Sequence, residues 1–406
     1  MSEHSPKQTI TRLVLSFYLP SLLLSFSGGM LEPVLPLFAK SLNASYGLVG
    51  LASAGVGIGM LLGDLPSAVL IRRLGHKGAM LVGVGCTALS TLAISWAQSM
   101  PEVVLYRLLS GFGQALYGIA RHTYIAQAVR ASGRGRAISL FGGLLRIGRF
   151  VGPLVGGTIA KAMGMRIPFL FVGAAYGSAF LAMALFVPHA RDDRGIKQTA
   201  HAGVSGLAHV LRSRLNILAP AGLGQLFAQM IRSGRSTIIP LYAADVIGLD
   251  VQLIGLIVSI SSAVDMLFFY PAGLIMDRLG RKWAVVPSFA IQALGMALVP
   301  LTGSFAGILL AASLIGFGNG FSSGSMMTLG ADLAPETARG EFLSIWRLIG
   351  DVGSSGGPLA VGAIADAVAL PTAALLMACA GLLASATFGF FVPETLQKPQ
   401  PEASPT

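Results

Sequence analysis

The sequence predicts an all-α membrane protein of about twelve transmembrane helices arranged as two pseudo-symmetric six-helix bundles. Three observations carry that expectation. Of the 406 residues, 54% are hydrophobic and 11% charged, whereas soluble domains carry about 25% charged residues. The apolar residues gather into runs of roughly 20, the length that crosses a bilayer as a helix. The phrase "PSAVLIRRLGHK" at 66–77 returns as "PAGLIMDRLGRK" at 271–282, a displacement of 205 positions.

In chain order, the first six runs are 13–36, 47–71, 79–98, 103–127, 137–160 and 168–188. The second six are 215–243, 251–275, 284–303, 306–331, 342–366 and 371–392. Between the sets lies the long polar stretch "HARDDRGIKQTAHAGVSGLAHVLRSR". It divides the chain into an N-terminal bundle (1–188), a cytoplasmic linker (189–214) whose later part reads as a short interfacial helix, and a C-terminal bundle with a short cytoplasmic tail (215–406). The first run is too long for the core of a signal peptide and more spans follow it, so it is expected to persist as a helix.

The net charge of +11 does not point to nucleic acid, because the basic residues fall in short clusters between apolar runs. With both termini cytoplasmic, inside loops and tails hold 18 of the 28 Lys and Arg, and outside loops hold only Lys40, Lys161 and Arg166. That asymmetry satisfies the positive-inside rule and places a multi-pass protein in the inner, plasma membrane. Trp96 and Trp283 fall near helix ends, where interfacial belts sit. Cys86 and Cys379 lie in apolar runs and the six histidines are scattered, so neither a disulfide framework nor a metal site is expected. No cofactor is expected, and a monomer is. Phosphate-cradling loops and nucleophile constellations are not recognised, and the loops are too short for a catalytic domain, which argues against an enzyme or an ATP-driven pump.

The 205-residue shift pairs Pro66 with Pro271, Arg73 with Arg278, Gly75 with Gly280 and Lys77 with Lys282. It also aligns "GFG" at 111 with "GFG" at 316, and Arg134, Gly135, Gly148, Gly152, Pro153 and Gly157 with Arg339, Gly340, Gly353, Gly357, Pro358 and Gly362. These matches occupy equivalent spans: second and eighth, fourth and tenth, fifth and eleventh. Two related halves in a membrane imply a transporter with its site between them.

On these motifs the chain resembles the major facilitator superfamily over nearly its whole length. "GLIMDRLGRK" is similar to that family's signature loop, with Asp277, Arg278, Gly280, Arg281 and Lys282. In the first copy Arg72 stands where the family has aspartate, Ala68 replaces glycine and His76 replaces arginine. The resemblance implies that this loop latches the halves on the cytoplasmic side; in the first half another acid must serve, and Asp64 is the candidate. "YRLLSGFGQA" resembles the fourth-helix motif whose arginine, here Arg107, is associated with proton coupling. "GRFVGPLVGG" resembles the fifth-helix motif of the drug:proton antiporters, with Ser139 where its longer form has glycine. Independently of any family, Gly148, Gly152 and Gly156 leave one helix face bare for close packing beside Gly157, and Pro153 permits a bend. Ordinary helix packing explains such a stripe equally.

Eleven charges lie inside spans: Arg107, Arg121, Arg146, Arg149, Arg232, Arg235, Arg347, Glu32, Asp64, Asp265 and Asp351. Each costs about 2.5–3.5 kcal/mol to insert at mid-bilayer, so each must find a partner or water. Glu32, about 20 residues into the first span where Pro33 and Pro36 mark the helix as finishing, shares the outer third with Arg107; a pair between them would couple protons by exchanging arginine for a proton. The alternative for Glu32 is an interfacial residue at a helix end. Asp265 is level with Arg146 and near Arg232, either as a second proton carrier or as a static salt bridge. Asp64 is level with Arg347, beside Asp351, and reads as a cytoplasmic-side gate. Arg232 and Arg235 have no basic counterparts in the first span; they either hold an anionic head group or pair with Glu32 or Asp265. Arg121 and His122 suit the cytoplasmic rim.

The expected activity is proton-coupled antiport exporting a lipophilic small molecule by alternating access. One alternative is an exporter or flippase of an anionic amphiphile or organic anion. Another, of a different class, is a transporter-like receptor that moves nothing. Partners are the bilayer and a lipophilic or anionic small molecule, lining a cavity of Glu32, Arg107, Arg146, Arg232 and Arg235.

Overall fold

The computed structural model describes residues 18–128, 134–187, 204–322 and 324–396. Expectations for the N-terminal tail, for 188–203 of the linker, for the C-terminal tail and for the side chain of His122 lie outside the described residues.

The described chain is helical: α1 Leu19–Ser41, α2 Tyr46–Ile94, α3 Met100–Ala128, α4 Arg134–Met163, α5 Ile167–Phe186, α6 Val204–Asp245, α7 Val251–Arg278, α8 Arg281–Leu298, α9 Phe305–Phe321, α10 Ser325–Leu333, α11 Arg339–Ala367 and α12 Leu370–Ala386. Twelve crossings result, because α2 bends at Gly75 (φ 69, ψ 171) to supply two and α9 with α10 supplies one. Among the described residues ten segments are long and apolar enough to span a membrane. The remaining two crossings, α4 and α6, each carry four arginines, Arg134, Arg136, Arg146 and Arg149 on one and Arg212, Arg214, Arg232 and Arg235 on the other. Large apolar side chains such as Leu89, Leu185, Leu310 and Phe390 are exposed, as helices facing lipid require. Trp96 and Trp283 are exposed too, at opposite ends of the molecule.

One local expectation is corrected. Pro33 and Pro36 do not end the first span, which runs on to Ser41. Glu32 is therefore mid-helix. The physical reason is the neighbour: Gly29, whose carbonyl loses its i+4 donor at Pro33, is pressed against Gly148, Gly152 and Pro153 of α4, and packed membrane helices absorb such breaks. The linker expectation finds a parallel in α6, whose first turns, 204–213, precede a kink at Arg214 (φ −126, ψ 17).

Within each half the glycine stripes bring helices to backbone contact. A Cβ on Gly148 would stand 2.6 Å from Phe26 N, and one on Gly152 2.6 Å from Phe26 O, both on α1. Gly156 meets Met30 in the same way. In the second half Gly353 and Gly357 press on Leu226 and Met230 of α6. The two halves then meet through α2 against α11 and α4 against α7, with α1 touching α6 and α7. Spans α3 and α9 pack chiefly within their own bundles.

Candidate functional site: the seam between the bundles

The seam is built twice. On one side Gly255 of α7 lies against Pro153 and Gly157 of α4, where a Cβ would be 3.2 Å from the Gly157 Cα. On the other, Gly50 of α2 lies against Pro358 and Gly362 of α11, again 3.2 Å from the Gly362 Cα. All three residues of one contact are displaced by 205 from those of the other. No residue larger than glycine fits without separating the helices.

Beyond these glycines the seam is closed by charge. Lys40 Nζ stands 3.9 Å from Asp245 Oδ2, Lys161 donates to Asp250 Oδ2 at 2.8 Å, and Asp366 accepts from the Tyr46 and Gly47 amides at 2.7 Å each. Tyr46 also donates its hydroxyl to Asp245 at 2.9 Å. Lys40 and Asp245 are 205 positions apart, as are Lys161 and Asp366. The duplication has thus diverged in sign, lysines in the first half facing aspartates in the second. Asp250 and its counterpart Ser45 both cap helix N-termini: Asp250 accepts from Gln252 and Leu253 at 3.0 Å, while Ser45 accepts from Leu48 at 3.3 Å and leaves two amides for Asp366. A hydrogen bond from Lys161, with help from its own capping amides, holds the Asp250 carboxyl below the usual range.

Midway along the seam Ser259 of α7 enters the helical ladder of α4. It donates to Phe150 O at 2.5 Å and accepts from Leu154 N at 3.1 Å, bridging two backbone groups one turn apart on α4. Deeper still lies Asp265, buried, with Arg146 Nη1 of α4 at 3.4 Å and Asn319 Nδ2 of α9 donating at 2.9 Å. Arg146 stacks over the Phe269 ring, 4.0 Å from its centroid. The matching charge on the other side is Arg347 of α11, 3.6 Å from Asp64 Oδ1 and 3.4 Å from Asp351 Oδ2. The Asp64 contact is an ion pair without a hydrogen bond.

Arg232 donates to the Ser322 carbonyl at 3.1 Å and to its hydroxyl, and lies over Phe289 at 5.1 Å. Its Nε and the Arg235 Nη1 are buried without a partner. Arg235 and Glu32 line a narrow cavity between α1, α6 and α7 with Ile239, Val258 and Ser261. About 10 Å³ is open there to a water-sized centre, enough for about one water. Glu32 makes no direct hydrogen bond or ion pair among the described residues.

That geometry corrects the expected pair of Glu32 and Arg107. Arg107 instead donates from Nε to Ala52 O at 3.3 Å, with its Cβ pressed on the Gly55 position of α2, so it braces α3 against α2 and does not join the cavity. The rise along two helices gave both residues similar depth, but not the direction each faces. Lys77, Arg281 and Lys282 of the signature loops bond within their own halves. Gly280 (φ 125) turns the chain into α8, whose first amides, Arg281 and Lys282, donate to the Glu394 carboxylate at 2.8 and 3.0 Å. Burial raises the Glu394 pKa, but the amides of Leu396, Lys282, Arg281 and Thr395 outweigh it and hold the carboxyl below its ordinary value. Arg281 reaches Asp332 at 3.0 Å and Asp277 at 3.4 Å. Lys77 Nζ and Lys282 Nζ donate to the equivalent carbonyls Ala184 O and Gly389 O at 2.7 and 2.8 Å. Arg72, Arg73 and Arg278 are exposed.

Sequence reasoning missed Asp245, Asp250, Asp366, Ser259 and Asn319. Asp245 and Asp366 were findable, since the 205-residue alignment sets Lys40 and Lys161 opposite them.

Comparison with known proteins places this architecture. Residues 18–231 and 221–405 match the family described as Major Facilitator Superfamily. An uncharacterised MFS-type transporter of Methanocaldococcus jannaschii is 21% identical over 83% of this chain and 87% of its own. Multidrug resistance protein 2 of Bacillus subtilis is 24% identical over 65% and 67%. In fold, the chain is similar to a bacterial homologue of the human lysosomal transporter Spinster in an inward-facing, occupied conformation (TM-score 0.78, 15% identity, 95% of this chain and 97% of that one). It is also similar to a D-xylose-proton symporter (TM-score 0.76, 18% identity, 96% and 99%). A duplicated six-helix unit joined along a two-fold seam, matched over almost its full length, makes this chain a member of the major facilitator superfamily of membrane transporters.

Proposed function

We propose that this transporter is a proton-coupled antiporter that exports a lipophilic small molecule by alternating access. Both termini are cytoplasmic in this reading, the membrane is the inner one, and the lysine–aspartate seal faces outside.

The observation that carries the reading is Asp265. One buried carboxylate is held by Arg146 from the first half and Asn319 from the second, so its protonation removes an ion pair that ties the bundles together. A proton and Arg146 then compete for the same oxygen, which is how a neighbouring charge couples titration to structure. Glu32, with Arg235 across the one-water cavity, is the second carrier. Asp64, Arg347 and Asp351 form the inner gate, which the signature loop, through Asp277, completes when the inner end closes. The similarity to a multidrug resistance protein and to a proton symporter agrees with this assignment.

The test is flux through purified full-length protein in proteoliposomes under an imposed pH gradient, with tetraphenylphosphonium, dodecanol and dodecanoate as cationic, neutral and anionic probes. Uphill movement of a probe is expected, lost in Asp265→Asn while downhill exchange persists. Undiminished uphill movement in that variant overturns the coupling, and saturable binding without any flux makes the chain a receptor.

A further inference from the structure

We infer that the molecule carried at this seam is an amphiphile with an anionic head, a carboxylate, sulfate or phosphate on an apolar body, and that Arg232 and Arg235 receive the head. The inference rests on the transport reading and names its substrate class.

The charge balance at the seam is the first ground. Arg232 on α6 is an electrostatic neighbour of Arg235 and of Arg146 and Arg149 on α4, and Asp265 is the acid that both Arg232 and Arg146 feel. Glu32 is the acid that lines the cavity beside Arg235. Asp265 is already committed to Arg146 and Asn319 and Arg149 is exposed, which leaves the half-buried Arg232 and Arg235 against the one carboxylate of Glu32. The membrane supplies little water to compensate the excess. A bound anion would.

The second ground is unused donors. The Arg232 Nε and the Arg235 Nη1 are buried and donate to nothing among the described residues. Arg232 is oriented by Ser322, which takes its Nη2, and by the Phe289 ring beneath it. A guanidinium fixed in this way keeps one buried Nε donor for a carboxylate or phosphate oxygen, and the Arg235 Nη1 offers a second. The two arginines are three residues apart on α6, one helical turn, so one head group can bridge them. Ile239 and Val258 beside Arg235 offer an apolar surface for the body.

The third ground is asymmetry. Positions equivalent to Arg232 and Arg235 in the first half are Ser27 and Met30. The glycine contacts that close the halves repeat across the duplication, and this charge does not, so it serves the ligand rather than the closure of the halves.

The experiment is a thermal-shift titration of the full-length protein in a neutral maltoside detergent. Three single-chain probes of equal length are compared: dodecyl phosphate, dodecanol and dodecyltrimethylammonium. The phosphate should stabilise saturably, and Arg232→Gln and Arg235→Gln should each weaken its apparent affinity about tenfold or more, with the unliganded melting temperature reporting whether each variant folds. If Arg232→Gln does not fold, Arg235→Gln decides. Equal stabilisation by the alcohol or the ammonium, or phosphate binding untouched by a folded variant, overturns the inference. A parallel titration with phosphatidylglycerol separates a membrane lipid from a free amphiphile: whichever of the two displaces the other at the lower concentration is the source. Proton-driven movement of tetraphenylphosphonium without anion binding would leave the transport reading standing and sink this one; anion binding at the arginines without flux would do the reverse.

Discussion

Gly157 and Gly255 meet backbone to backbone across the seam, and Gly50 and Gly362 repeat that meeting on the opposite side at positions 205 residues away. Such contacts let rigid bundles roll on a narrow backbone surface. They also fix what the seam tolerates. Replacing Gly255 or Gly50 with leucine forces the helices apart at a cost of about 1–3 kcal/mol. Transport should fall about tenfold or more while the protein still inserts and folds, as read by flux beside size-exclusion chromatography.

Ser259 is expected to matter more than its size suggests. Ser259→Ala removes the side-chain bonds to Phe150 O and Leu154 N in a half-buried interface, at about 1–3 kcal/mol. Cysteines introduced next to the lysine–aspartate seal should then label faster, because the conformation closed there is less populated.

Asp366 caps a helix of the other half. Asp366→Asn keeps the shape but loses the charge at the α2 N-terminus, about 0.5–1 kcal/mol for an exposed cap. The same labelling assay should show a two- to fivefold increase, and Asp366→Glu should restore less than half of the closure.

A pH dependence follows from Glu394 and Asp250, both held below their ordinary carboxylate values. A depressed carboxylate stabilises the folded state fully above its unfolded value, about 4.3 for Glu and 3.9 for Asp, and that contribution is lost as pH falls through the lower folded value. Thermal stability should therefore drop between about pH 5 and 3. Glu394→Gln should be less stable at pH 7 and show a flatter profile over that window.

Much of this was legible in the sequence. Periodic glycines and the displacement of 205 expose close backbone contacts, because only glycine satisfies them, and so the two bundles and the pairs Asp265 with Arg146 and Asp64 with Arg347 could be read by depth. Facing direction could not. Glu32 and Arg107 share a depth but point to different neighbours, and Pro33 in a packed membrane helix does not end it as it would in water. Ser259 carries no sequence signal, since a serine inserted into a neighbour's ladder looks like any other.

The central claim is that the seam closes at one end while it opens at the other, driven by the proton on Asp265. Spin labels at Leu48 and Val368 would report the end that is sealed here, and labels at Arg73 and Leu279 the opposite end, in protein whose Cys86 and Cys379 have been replaced. In Asp265→Asn, against the unsubstituted protein at pH 8, the first distance should lengthen as the second shortens. If the two distances stay fixed, or lengthen together, the coupling of that carboxylate to alternating access is contradicted.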